Sequence, residues 1–142
     1  MEASAVLDAD FLTLAGNTLV GAAFNLASGT TLGLQRSILQ VAAGQAVAAG
    51  AGTVTAACIN SNDLALGGDA HDPGFADAAS GNYRLRLDSQ NIDRCAGDGH
   101  EALSDLAGLP RNRDRVTVPD NIGPFDRGAY EDADELLRTG FE

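Results

Sequence analysis

The sequence predicts an all-β fold, a parallel β-solenoid of about three rungs of ~20 residues each, closed by a loop-rich C-terminal cap. Three observations predict it. Residues 1–68 hold only four acids (Glu2, Asp8, Asp10, Asp63) and one base, Arg36, and are built from Ala, Gly, Thr, Leu and Val. Short alternating apolar segments recur within that half at an offset near 20. From Asp72 onward the regularity gives way to turns and charge, with sixteen acids and eight bases in residues 69–142.

The repeat sets Leu14 against Leu34 and Val54, Leu19 against Leu39 and Ile59, and Leu26 against Ala46 and Leu66. Gly, Ser and Asn fall between these columns, where turns belong. Within one strand the alternation sends Leu12 and Leu14 to one face, then Leu32 and Leu34 one rung later. Aromatic residues are few and Trp is absent, which suits a narrow stacked interior of aliphatic side chains. The Ala-rich stretch 41–51 has helical composition, but Gly44 and Gly50 lie within it, and each interior glycine costs a helix about 1 kcal/mol relative to alanine. It is therefore assigned to the sheet.

A boundary falls near Gly67-Gly68, giving rungs over 1–68, a cap over 69–131 and an acidic tail over 132–142. The tail is expected to be a frayed, disordered terminus; its GFE ending leaves an export or anchoring signal as the other reading. In the cap, Asp72-Pro73-Gly74 and Ser80-Gly81-Asn82 form turns, because proline fixes φ and glycine tolerates the left-handed region. Tyr83-Arg84-Leu85-Arg86-Leu87 alternates as a short strand burying Tyr83, Leu85 and Leu87. Phe75 and Ile92 are the expected plugs for the end of the stack.

The net charge of −11 argues against a nucleic-acid partner, since phosphate recognition needs clustered cations. All nine bases are Arg, which we attribute to composition bias. No stretch reaches the ~18 apolar residues of a membrane span, and MEASAVLDADF lacks the basic and apolar regions of a secretory signal. The chain is expected to be an internal segment of a longer protein. Cys58 and Cys95 either form one disulfide, worth ~3–4 kcal/mol by restricting the unfolded chain, or stay as two buried thiols; no Cys/His spacing points to zinc.

The stretch DPGFADAASGNYRLRLDSQNID resembles the C-terminal end of bacterial right-handed parallel β-helix proteins, including "choice-of-anchor" surface proteins, in which DPxFxDxxxGdYrLxxxSpaID recurs. Asp72, Pro73, Phe75, Asp77, Gly81, Tyr83, Leu85, Ser89, Ile92 and Asp93 stand at matching positions. Asp105-Leu106-Ala107-Gly108-Leu109-Pro110-Arg111 is similar to that family's DxxGxPR, and Asp126-Arg127-Gly128-Ala129-Tyr130-Glu131 to its DxGAYE. The sequence departs from the pattern at Asn82, Gln90 and Arg94-Cys95. The resemblance implies a right-handed β-helix end in a secreted or surface protein, and assigns those residues structural roles.

Candidate chemistry is thin. Asp69, Asp72 and Asp77, with His71, form an acidic group that could supply oxygen ligands to Ca²⁺, but no EF-hand loop or nonapeptide array is present, and turn stabilisation is the preferred reading. No other cofactor is implied. His71 and His100 have no GxSxG nucleophile to serve. Arg36 is expected to be a solvated residue on a rung. Asp105, Arg111, Arg113, Asp114 and Arg115 are expected to form an exposed ion-pair surface worth ~0–1 kcal/mol per pair. The sequence thus points to a non-enzymatic end module with a structural or adhesive role. The alternative is a non-catalytic remnant of a polysaccharide-active β-helix lyase or glycoside hydrolase. Expected partners are upstream rungs of a longer chain, another protomer, or a surface polysaccharide.

Overall fold

A computed structural model describes residues 4–17, 21–111 and 122–131. The first half of the chain runs through β1 (Ala5–Asp10), β2 (Thr13–Leu14), β3 (Ala22–Leu26), β4 (Thr30–Gln35), β5 (Ile38–Leu39), β6 (Ala46–Gly50), β7 (Thr53–Ala57) and β8 (Asn60–Ser61). These strands make three small parallel sheets ordered β1-β4-β7, β2-β5-β8 and β3-β6. The chain therefore visits the same sheets in the same order on each circuit. The described residues contain no α-helix, and the Ala-rich stretch supplies β6.

The repeat is not 20. Val6 pairs with Thr31, and Thr31 with Thr53; likewise Thr13 pairs with Ile38 and Ile38 with Asn60. The first circuit is thus 25 residues and the second 22, so Leu14 lies beside Leu39 rather than Leu34. The second circuit has a shorter turn between β6 and β7, where Gly52 sits so close to Thr30 and Leu26 that a Cβ would lie 2.5 and 2.6 Å from their side chains. An offset of 20 differs from 22 by two, and the period-2 alternation of a strand hides an even error.

Leu32, Leu34, Leu39, Val41, Val47 and Ile59 form the interior, with Leu12, Leu14, Phe24, Leu26, Val54 and Leu66 packed against them. Leu32 and Leu34 are wholly buried between their ladder neighbours, whereas Leu7, beside Leu32 on β1, is 52% exposed. Among the described residues, the stack is open at that side. At the other side, residues 62–69 cover the edges of β6 and β8, while β7 is the last strand of its sheet. Asn62 exchanges two hydrogen bonds with the backbone of Val41 (2.9 and 2.8 Å). Asp63 accepts from the Val47 N–H at 2.8 Å, and Asp69 pairs its backbone with Ile59 and Ser61 along β8.

That closure corrects the expected role of the following stretch. Phe75 and Ile92 do not plug the end: they pack with Leu85 on Ile38, in the middle strand β5, whose neighbour Leu39 faces the interior. Successive strand residues point to opposite faces, so the described residues of 70–111 and 122–131 lie along the outer face of β2-β5-β8 and touch all three strands. Ala129 N–H donates to the Thr13 hydroxyl at 2.9 Å, Ile38 meets Leu85 and Ile92, and the Asn60 amide donates to the His71 carbonyl at 3.1 Å. Two short antiparallel strands, β9 (Phe75–Asp77) and β10 (Asn82–Leu85), build this flank. Leu87 is not on its buried face. The strand ends at Leu85, Arg86 N–H turns back to the Gly74 carbonyl at 2.7 Å, and Leu87 is 53% exposed.

Candidate functional site

Each circuit turns its corner after the first strand through a non-glycine residue with positive φ: Phe11 (54°), Arg36 (44°) and Cys58 (51°). Such residues are uncommon in this region, and here they repeat with the 25- and 22-residue circuits. Their side chains form a column facing the flank, and each takes a different partner there. Phe11 meets Phe125, centroids 6.0 Å apart; Arg36 meets Asp98 and Glu101; Cys58 is disulfide-bonded to Cys95, with Cα atoms 5.9 Å apart. The bridge settles the alternatives left open for the two cysteines.

Beside this column lies a cleft of about 430 Å³, lined by Gln35, Arg36, Ala57, Cys58, Ala96, Asp98, Ile122 and Arg127. It is the candidate site, since it gathers residues from two circuits and sets Arg36 against charged groups of the flank. Arg36 is buried rather than solvated, at 5% exposure. Its guanidinium makes a two-pronged contact with Asp10, with Nε to Oδ1 at 2.9 Å, and lies 3.5 Å from Asp98 and 3.8 Å from Glu101. It also stands 5.1 Å from the Phe11 ring centre. The hydrogen bond to Asp10 and the surrounding carboxylates hold its pKa above the ordinary value despite burial.

The facing acids are stabilised as anions. The His100 N–H, followed by Arg36, keeps Asp98 below the usual carboxylate range. Backbone N–H groups, its own first and then those of Asp98 and Gly99, do the same for Glu101. On the far wall Arg127 donates to Asp69 at 2.7 Å and to Asn91 at 3.3 Å, and that hydrogen bond is the main reason the Asp69 pKa is lowered. A general acid in glycoside cleavage needs a raised pKa, and these carboxyl groups are shifted the other way. Arg36 and Arg127 are each engaged by carboxylates of the protein itself. The arrangement is suited to fastening the flank to the sheet.

The acids considered for calcium do not converge on one point. Asp69 binds Arg127 and Arg94, Asp72 accepts from the Gly74 N–H at 3.0 Å, and Asp77 accepts from the Ser80 N–H at 3.3 Å at the start of a 3₁₀ turn. Among the described residues, no group of three or more His, Cys, Asp or Glu side chains is placed to hold a metal ion. No described helix is long and apolar enough to cross a membrane.

The motif residues have mechanical work in the flank. The Pro73 carbonyl accepts from the Ser89 hydroxyl (2.7 Å) and the Asn91 amide (3.0 Å). Phe75 and Tyr83 meet edge to face at 5.3 Å, and Gly81 ends its turn with φ 77°. Asp93 N–H donates to Asp126 at 2.8 Å. Gly108 turns at φ 81° and donates to the Asp105 carbonyl, while Pro110 bridges Ser104. Gly128, φ 93°, lies where a Cβ would come within 2.6 Å of the Thr13 hydroxyl. Arg84 stacks over Tyr130 at 4.6 Å.

The expected exposed pairs around Arg111 are instead buried, with Asp105 at 7% and Arg111 at 4% exposure. Asp105 accepts from Leu109 N–H (2.7 Å) and Glu131 N–H (3.0 Å). Arg111 donates to the carbonyls of Gly128 and Ala129 and lies 3.8 Å from the Phe11 ring centre. Glu131 has a fully buried side chain whose nearest cation among the described residues, Arg111, is 3.8 Å away. That distance is too long for a direct hydrogen bond, so burial, then repulsion from Asp126, raises its pKa to about 10. Glu131 is a neutral acid at pH 7. Arg113, Asp114, Arg115 and the 132–142 tail lie outside the described residues.

The sequence reading missed the corner column and the closing residues Asn62 and Asp63. The corners carry no glycine, so nothing marked their positive φ. Their one signal was three dissimilar residues at spacings of 25 and 22. Comparison of the chain with protein-family models, with curated proteins and with solved structures gave no match.

Proposed function

We propose that this chain is the terminal module of a right-handed parallel β-helix in a secreted or surface-exposed bacterial protein, with a structural or adhesive role and no catalysis of its own. The observation that carries the reading is the difference between the two ends of the stack. Residues 62–69 occupy one end with side-chain and backbone hydrogen bonds. At the other, β1, β2 and β3 are each the last strand of their sheet, and Leu7 is left half-exposed at the mouth of the interior. An unpaired strand edge is a template for another strand, and repeat folds gain stability from each neighbour that covers such a face. The flank, riveted by the disulfide and the Arg36 ion pairs, stiffens the last circuits from the side.

The alternative, a remnant of a polysaccharide-active enzyme, rests on the Asp10, Arg36, Asp98 and Glu101 group. Asp98 and Glu101 are held ionised and Asp10 is engaged by Arg36, which favours the fastening role. Two experiments test the proposal. Inserting a second copy of residues 31–52 ahead of Val6 adds one circuit at the open end, and the expected result is a higher unfolding midpoint with a single transition. A lower midpoint, or a separate transition for the added circuit, would overturn the reading of that end. Incubation with acidic polysaccharides should release no new chain ends above a heat-denatured control; release above that level would sink the non-catalytic part.

A further inference from the structure

Fastening the flank accounts for all of Arg36 but for only part of Arg127. Every nitrogen of the Arg36 guanidinium has a described acceptor: Nε and Nη2 are on Asp10, and Nη1 lies 3.5 Å from both the Ala96 carbonyl and Asp98. Arg127, 4% exposed, uses Nη1 alone, for Asp69 and Asn91. Its Nε is buried with no partner, and its Nη2 donates to no described residue. We infer that the cleft lined by Arg36 and Arg127 binds a small hydroxylated carboxylic acid, whose carboxylate accepts from Arg127. The site lies beside the corner column and does not depend on how either end of the stack is covered.

Charge selects the carboxylate. Asp69 also accepts from Nη2 of Arg94, at 3.4 Å, so two guanidiniums share one carboxylate and one positive charge is left over. Arginine stays protonated even when buried, and taking a cation out of water is costly unless an opposite charge meets it. Burial is the largest influence on Arg127 and draws its pKa below the ordinary value. One anionic group in the cleft supplies the missing charge. The surplus is a single unit, and Asp98 on the other wall is held ionised, so a monoanion fits and a dianionic phosphate is opposed.

The walls select the rest of the molecule. Ala57, Cys58, Ala96 and Ile122 make an apolar lining, and Gln35 and Asp98 supply polar atoms. The Asp98 side chain is 46% exposed, and its charge is already met by Arg36. A carboxylate only accepts hydrogen bonds, so what Asp98 has left to offer is a lone pair for a hydroxyl. The volume of about 430 Å³ lies in the range of small-molecule pockets and suits a body the size of one sugar ring.

The test is an NMR titration of nitrogen-labelled chain that follows the arginine Nε–H resonances, with glucuronate, acetate, glucose and inorganic phosphate as probes. Glucuronate should shift the Arg127 resonance saturably, acetate should do so more weakly, and glucose should leave it in place. Ala57→Trp fills the cleft from an exposed position on the sheet side and Ala96→Trp from an exposed position on the flank. Each should abolish the glucuronate shift with unchanged circular dichroism. Absence of a saturable Arg127 shift in wild type would overturn the inference, as would binding that survives both tryptophans. Shifts spread over all nine arginines, or reproduced by sodium chloride, would mean an adventitious ion only and would overturn it too. Phosphate binding as tightly as glucuronate would overturn the charge match, and glucose binding as tightly would overturn the role of the carboxylate. The added-circuit experiment has no part in these outcomes, so the cleft and the terminal module are tested separately.

Discussion

Replacing Glu131 with Gln gives the most quantitative handle on this structure. Its side chain is wholly enclosed, and its pKa is raised from 4.5 to about 10, first by burial and then by Asp126. Between those values the folded chain holds a proton that the unfolded chain has released. A raised folded pKa means that stability is greatest below the unfolded pKa and is lost as pH climbs towards the folded one. The loss is about 1.4 kcal/mol per pH unit above 4.5, or about 3 kcal/mol at pH 7. Gln has the shape and neutrality of the protonated acid and no proton to take up. Glu131→Gln should therefore match wild type near pH 4.5, exceed it by about 3 kcal/mol at pH 7, and pull further ahead up to about pH 9. Urea unfolding followed by circular dichroism across that range, with the disulfide intact, measures the difference directly. A difference that stays flat from pH 5 to 9 would show that Glu131 is ionised in the fold and would refute the reasoning.

Three further outcomes follow from the contacts. Arg36→Met leaves Asp10, Asp98 and Glu101 facing one another without their shared cation; because the Asp10 and Asp98 side chains are partly exposed, water offsets part of the loss, and a cost of about 1–3 kcal/mol is expected in the urea midpoint, an unchanged midpoint meaning that the cluster is solvated. Replacing Cys58 and Cys95 together by Ser should lower stability by about 2–4 kcal/mol, with hydrogen exchange accelerating most around residues 94–96 and 123–125. Gly128→Ala places a methyl 2.6 Å from the Thr13 hydroxyl and 3.0 Å from Ile38 at a φ of 93°, so it should cost more than 1 kcal/mol, while Gly81→Ala, with open space around it, should lose only the smaller part due to backbone conformation.

What the sequence determined by itself was local. Alternation of Leu32 and Leu34, the scarcity of charge before Gly67 and the turn chemistry at Asp72-Pro73-Gly74 and Ser80-Gly81-Asn82 were enough to assign strands, parallel sheets and a change of character near residue 70. Each depends on near neighbours in the chain, which is why it was legible. The length of the circuits was not: in the second circuit an error of two residues leaves every side chain on its proper face, and in the first, 25 residues long, the offset of 20 set Leu14 of one strand against Leu34 of a different sheet when its ladder partner is Leu39. Nor was the placement of the second half. Phe75, Leu85 and Ile92 are apolar enough to cover an end or a side, and only packing on Ile38 decided for the side. Arg36 shows the same limit. Alone among uncharged residues it looks solvated, yet the fold bends its corner towards the flank and supplies Asp10 from 26 positions upstream and Asp98 and Glu101 from 62 and 65 downstream. Burial of a charge is set by partners that the chain brings from far away, and that is a property of the tertiary structure alone.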